Sequence, residues 1–164
     1  MYKFKQMKEA DLNILFNWIN QEHVKRWWDS SDNWDSFCTR YKANIASNLV
    51  FPHIVYSDGE PIGYINYWFV EEDEDFNDLY PSDTVGTDQF IGDKKMIGKG
   101  HGSAIVKQFT NELLLKENIN LVITDPDPKN IIAVKCYKNA GFTAVKEMSV
   151  SDGTILLMEK SIAK

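Results

Sequence analysis

Cysteine and histidine are scarce in this chain. Two cysteines in 164 residues, Cys38 and Cys136, carry no disulfide framework, and three scattered histidines, His23, His53 and His101, offer no Cys/His pair at zinc spacing. No metal is expected. Positive charge is short as well: 18 Lys and Arg stand against 24 Asp and Glu, giving a net charge of -6. A nucleic-acid binder shows the opposite footprint, a basic patch or stripe. No apolar run of about 18 residues occurs, and residues 1–8 lack the apolar core of a signal peptide. Neither a G-x-S-x-G elbow nor a G-x-x-x-x-G-K-[ST] loop is present, which removes the usual hydrolase and P-loop signals. The expectation is a soluble, cytoplasmic protein with no nucleic-acid or membrane partner.

What is there suffices for a core. With 43% hydrophobic and 13% aromatic residues, a chain of this length buries roughly two thirds of its unfolded surface without staples. No repeat, linker or low-complexity break divides it, so residues 1–164 are expected to form one domain. Residues 2–7 alternate as a loose strand. Leu12, Leu15, Phe16 and Ile19 recur at helical spacing over 10–21, with Asp11 as N-cap, and Trp34, Phe37, Tyr41 and Ile45 do so over 33–47. Strands over 53–56 and 61–70 meet at the turn Ser57-Asp58-Gly59-Glu60. Further strands are expected over 86–91, 120–124, 143–149 and 154–161, the last two joined at Ser151-Asp152-Gly153. Helices are expected over 100–116 and 130–139, the second ended by Gly141 as left-handed cap. That order describes an α/β or α+β fold, a mixed sheet with helices around it.

Residues 71–88 hold eight acids and no Lys or Arg. Such a stretch is either a solvated loop or a magnet for a cationic ligand. The densest local signal follows it, Lys95-Met96-Ile97-Gly98-Lys99-Gly100-His101-Gly102-Ser103, lying after a strand and opening a helix. Alternate glycines let a backbone turn tightly and approach a ligand, and the free N–H groups of a helix start point at an anion. Three nearby lysines, Lys94, Lys95 and Lys99, favour a phosphate or pyrophosphate. The dinucleotide fingerprint is incomplete, because Ser103 stands where it requires glycine.

Lys95-x-x-Gly98-x-Gly100 resembles the pyrophosphate motif [QR]-x-x-G-x-[GA] of the Gcn5-related N-acetyltransferases (GNAT), with lysine in the first place. Asn130-x-x-Ala133-x-x-x-Tyr137-x-x-x-Gly141-Phe142 resembles the second signature of that superfamily. Within it, the chain is most similar to aminoglycoside 6'-N-acetyltransferases, through residues 23–28 with Trp27 and Trp28, Asp58-Gly59-Glu60-Pro61-Ile62-Gly63-Tyr64, Asp88-Gln89-Phe90 and Thr124-Asp125-Pro126. A Trp pair also occurs in acetyltransferases of hydroxamate siderophore synthesis.

The resemblance implies a GNAT fold with a mostly antiparallel central sheet, and an acetyl-CoA-dependent transfer of acetyl to a primary amine of a cationic small molecule. A siderophore precursor, a polyamine, a protein N-terminus, or acyl-CoA binding without catalysis are the alternatives. Residues 95–103 would hold the cofactor pyrophosphate, together with Asn130 and Ala133. The strand carrying Asp88, Phe90 and Ile91 would offer a backbone N–H near Phe90 to the thioester oxygen. Tyr137 would be the general acid for the leaving CoA thiolate. Asp88 and Asp125 would bind the acceptor, Asp88 also as a candidate base, and Trp27 and Trp28 serve equally as core or as a flat wall for a sugar ring. Cys136, beside Tyr137 but on another side of its helix, is not expected to carry an acyl group. The protein is expected to be a monomer or homodimer.

Overall fold

Apolar residues recurring every second, or every third to fourth, position set the elements. The computed structural model describes residues 1–28, 33–116, 118–151 and 153–162, without the Glu72 side chain. Among the described residues, the strands are β1 (Lys3–Gln6), β2 (Val50–Ser57), β3 (Glu60–Phe69), β4 (Thr84–Gly86), β5 (Gln89–Ile91), β6 (Leu121–Thr124), β7 (Thr143–Val150) and β8 (Gly153–Ser161). The helices are α1 (Leu12–Ile19), α2 (Glu22–Lys25), α3 (Trp34–Ala46), α4 (His101–Leu114) and α5 (Ile131–Asn139). The strands bond in the order β1-β2-β3-β4-β6-β8-β7, with β5 also on β3. Only β4 and β6 pair in parallel among the described registers, so this is a mixed, mostly antiparallel α/β architecture, as expected. No helix among the described residues is long and apolar enough to cross a membrane.

The chain divides into two compact units, Met1–Tyr67 with Asp88–His101, and Trp68–Thr87 with Gly102–Lys164. In the first, α1 buries Leu12, Leu15 and Ile19 along one stripe, and α3 buries Phe37 and Tyr41. They share a core with Met7, Ile54, Tyr64 and Phe90. Burying one such side chain contributes about 1.5–3 kcal/mol relative to exposure. Asn33 caps α3 by accepting from Ser36 N–H at 3.0 Å. In the second unit, α4 buries Ile105, Val106, Phe109, Leu113 and Leu114. Val70, Phe76, Ile123, Ile155 and Leu157 form another apolar cluster there.

Three expectations need correction or qualification. Asp11 stands at the N-cap position of α1 as expected but makes no side-chain cap: a 3-10 turn over Glu9–Asp11 puts it in helical conformation, and its carboxylate accepts backward from Lys8 N–H at 2.8 Å. The single strand expected over 86–91 is two strands. Asn66 interrupts it, donating its backbone N–H to the Asp88 carbonyl at 3.0 Å and accepting the Asp88 N–H on Oδ1 at 2.9 Å. Asp88 therefore precedes β5 rather than lying within a strand. The expected turn at 151–153 includes Asp152, outside the described residues.

Gly92 follows β5 and lies flat against Trp18, so that a Cβ there would overlap the indole ring. Trp18 is itself buried. Gly92→Ala is expected to destabilise the chain by about 1–3 kcal/mol, the usual cost of overpacking. A lowered urea midpoint at unchanged slope checks this, and an unchanged midpoint would show that Trp18 yields.

Candidate active site

In the first unit, β5 carries the chemistry-bearing backbone. Antiparallel pairing alternates, and Asp88 O and Gly92 N both bond to β3, through Asn66 N and Ile62 O. Phe90, midway between them, must also point its amide at β3. The amide of Ile91 points to the opposite edge, together with its carbonyl, which His23 Nε2 meets at 2.9 Å. The donors that this strand directs away from its partner are thus Gln89 N–H and Ile91 N–H, on either side of the expected Phe90. His23 is a residue that sequence reasoning did not single out. Its only signal was membership of the 23–28 stretch.

The two tryptophans separate. Trp28 packs edge-on against Phe90 at 4.8 Å and Tyr64 at 5.6 Å between ring centroids, and its indole N–H donates to the Tyr41 hydroxyl at 3.2 Å. Trp27 is 41% exposed, with the Arg26 guanidinium 5.0 Å from its ring. Trp28 is core-like, and Trp27 is the exposed flat surface. Burial in this cluster pushes the Tyr64 hydroxyl well above its ordinary range, and Tyr41 adds to the shift.

After Gly92, Asp93 turns the chain by accepting from Lys95 N–H at 2.9 Å, which starts one 3-10 turn over Lys94–Met96. Gly98 and Gly100 then take φ values of 76° and 82°. L side chains avoid that region, and nothing lies within 4 Å of a Cβ at either place. Lys95, Ile97, Gly98, Lys99 and Gly100 are exposed, while Met96, His101, Gly102 and Ser103 are half-buried. Exposed glycine backbone among ammonium groups is chemically suited to a diphosphate. Beside this loop lies a broad cleft of about 600 Å³, lined by Ile14, Trp18, Gln21, Pro61, Asp93, Lys94 and Lys95.

In the second unit, Asp125 follows β6 and is half-buried. Desolvation, and next the nearby Asp73 carboxylate, push it from 3.8 up to about 6; Asp75 adds in the same direction. The acids are held in place: Asp73 Oδ1 accepts from Asp75 N–H at 3.0 Å, and Ser151 Oγ donates to Asp75 Oδ2 at 3.2 Å. The acidic stretch is thus partly an ordered wall around Asp125. Asn130 caps α5, accepting from Ala133 N–H at 3.2 Å, so its side chain is engaged by the helix itself. Tyr137 is 5% exposed, its ring edge-on to Phe142 at 5.4 Å. Burial raises the neighbouring Cys136 thiol, which disfavours the thiolate that an acyl-cysteine would need. Among the described residues no three His, Cys, Asp or Glu side chains are grouped to hold a metal.

Comparison with known proteins agrees in fold and motif. The aminoglycoside N(6')-acetyltransferase type 1 of Klebsiella pneumoniae is 28% identical over 165 residues, spanning 93% of this chain and 79% of that protein. The crystal structure of aminoglycoside acetyltransferase AAC(6')-Ib in complex with coenzyme A superposes with a TM-score of 0.93 at 27% identity, covering 99% of this chain and 95% of that one. A structure of that enzyme with coenzyme A and kanamycin gives 0.92. The acetyltransferase (GNAT) domain family matches residues 7–150, running through both glycine-bearing signatures, and the chain belongs to it.

Proposed function

We propose that this protein is a cytoplasmic, single-domain acetyl-CoA-dependent N-acetyltransferase that acylates a primary amine of a polycationic small molecule, an aminoglycoside at its 6' amine. The observation that carries the acceptor assignment is the placing of Asp73 beside Asp125. The Asp73 carboxylate repels that of Asp125, which follows β6, and a bound ammonium relieves that repulsion. Relatives named as aminoglycoside N(6')-acetyltransferases, and their complexes with coenzyme A and kanamycin, support the same reading.

In this reading residues 95–103 hold the cofactor diphosphate through backbone amides, Lys95 and Lys99, with Ala133 and the α5 cap at Asn130 beside the cofactor. Ile91 N–H, directed away from β3, donates to the thioester oxygen as negative charge develops there. Asp88 anchors the acceptor and takes its proton directly or through water, since an ammonium has no lone pair with which to attack. Tyr137 gives its phenolic proton to the departing thiolate. Trp27 provides the flat face for a sugar ring, and Trp28 supports it from the core.

Three substitutions test these roles. Gly100→Val forces a branched side chain into a left-handed backbone and is expected to weaken coenzyme A binding by calorimetry; unchanged affinity in a folded variant would place the diphosphate elsewhere. Tyr137→Phe is expected to lower kcat roughly 10²- to 10⁴-fold while leaving the acetyl-CoA KM nearly unchanged. Full turnover in that variant would assign Tyr137 to packing alone.

Asp125 gives a pH-dependent test. Its folded value lies above its ordinary one, so the stability it contributes is fully present below about pH 4 and is lost as pH rises through about 6. Asp125→Asn is therefore expected to be more stable than the parent at pH 8, by about 1 kcal/mol after discounting for half-burial, with the difference vanishing near pH 4. The acceptor KM is expected to move oppositely: it falls in the parent as pH rises through 6, and rises about tenfold in the variant at pH 8. Thermal melts and steady-state thiol release across pH read both. A pH-independent acceptor KM would remove Asp125 from the acceptor site.

A further inference from the structure

Tyr2 lies one residue before β1 and His101 opens α4, yet the Tyr2 hydroxyl is 2.7 Å from His101 Nδ1. The two rings also meet edge-on, with centroids 5.9 Å apart, and both residues are half-buried. We propose that Tyr2 is a positioning residue for cofactor binding, acting through His101 to fix the end of the loop that receives the diphosphate. This inference rests on the assignment of residues 95–103 to the acetyl-CoA diphosphate.

The hydrogen bond couples the imidazole to the phenol. A phenol keeps its proton at neutral pH, and burial together with Asp58 raises Tyr2 further above its ordinary value. The protonated hydroxyl either donates to Nδ1 or accepts from Nδ1–H, so the imidazole tautomer is coupled to this contact. Ring orientation is held by one contact from a residue 99 positions away.

The Asp93 cap and the turn over Lys94–Met96 hold the start of the loop before His101, and the glycine-bearing part follows them. Gly98 and Gly100 have open space where a side chain would stand, and Lys99 between them is exposed. Glycine loses more conformational freedom on ordering than any other residue, so a loop of this composition samples orientations in which its amides do not converge. His101 is the first residue after Gly100, and its ring is clamped. A clamp at that point lowers the ordering cost charged against ligand affinity, an effect on binding rather than on the chemical step.

Tyr2→Phe removes the hydroxyl and keeps the ring. It is expected to raise the coenzyme A Kd and the acetyl-CoA KM roughly 3- to 10-fold, the usual weight of one hydrogen bond, with kcat and the acceptor KM unchanged. His101→Leu is expected to weaken coenzyme A at least as much, and Tyr2→Phe made on top of it to add nothing, because the two act as one unit. Imidazole 15N shifts add a spectroscopic readout: the His101 ring nitrogens are expected to shift between the parent and Tyr2→Phe, because the hydroxyl that contacts Nδ1 is removed. An unchanged Kd in Tyr2→Phe, or independent, additive effects of the two substitutions, overturns the proposal. Gly100→Val separates the sources of failure. If it weakens coenzyme A while Tyr2→Phe does not, only the role of Tyr2 falls. If neither changes Kd, the diphosphate assignment falls and takes the inference with it.

Discussion

The site depends on a buried side-chain amide, that of Asn66, bonded to the backbone of Asp88. Asn66 is only 9% exposed, and a buried amide left unbonded costs about 1–3 kcal/mol, so its contact with Asp88 is strongly enforced. It ends one strand and registers the next. With Asp88 fixed, the period of two along β5 turns Phe90 toward β3 and into the aromatic core, leaves the Ile91 backbone on the opposite edge beside His23, and brings Gly92 onto Trp18. Five consecutive residues thereby acquire different neighbours, and the glycine-rich loop starts from a fixed point.

Charge is distributed with a matching logic. The chain is acidic as a whole, but the loop over 95–103 has lysines at 95 and 99 and no acid. Asp73 is kept near Asp125 in the second unit, although burial and then that neighbouring carboxylate disfavour ionisation of Asp125. A protein selected for stability alone would place Asn at one of these positions. In the proposed function a bound ammonium relieves that repulsion, exchanging stability for affinity toward a cation.

Much of this was legible in the sequence. Helical and strand periodicities located the elements to within a few residues, because long amphipathic stretches such as 101–114 leave little choice of face. The glycine spacing at 98 and 100 is chemically informative, since both positions take a left-handed backbone. Tyr137 was legible only through its family signature, because its spacing alone describes an ordinary core residue, and it is indeed buried. The break between β4 and β5 was hidden, since it is made by a side chain 22 residues away. The division of labour between Trp27 and Trp28, the pairing of Asp73 with Asp125 and the contact of Tyr2 with His101 were hidden for the same reason: each depends on which distant segments meet, and local pattern carries no record of that.

The most direct test of the account is acceptor selectivity. Initial rates of thiol release from acetyl-CoA are to be measured with amines of increasing positive charge, from a singly charged amine through spermidine-like chains to kanamycin-type aminoglycosides, at low and raised salt. The account predicts that kcat/KM rises with acceptor charge, is highest for the aminoglycosides, and falls with salt for the polycations alone. Preference for a singly charged amine, or no thiol release with any amine despite coenzyme A binding, would contradict it.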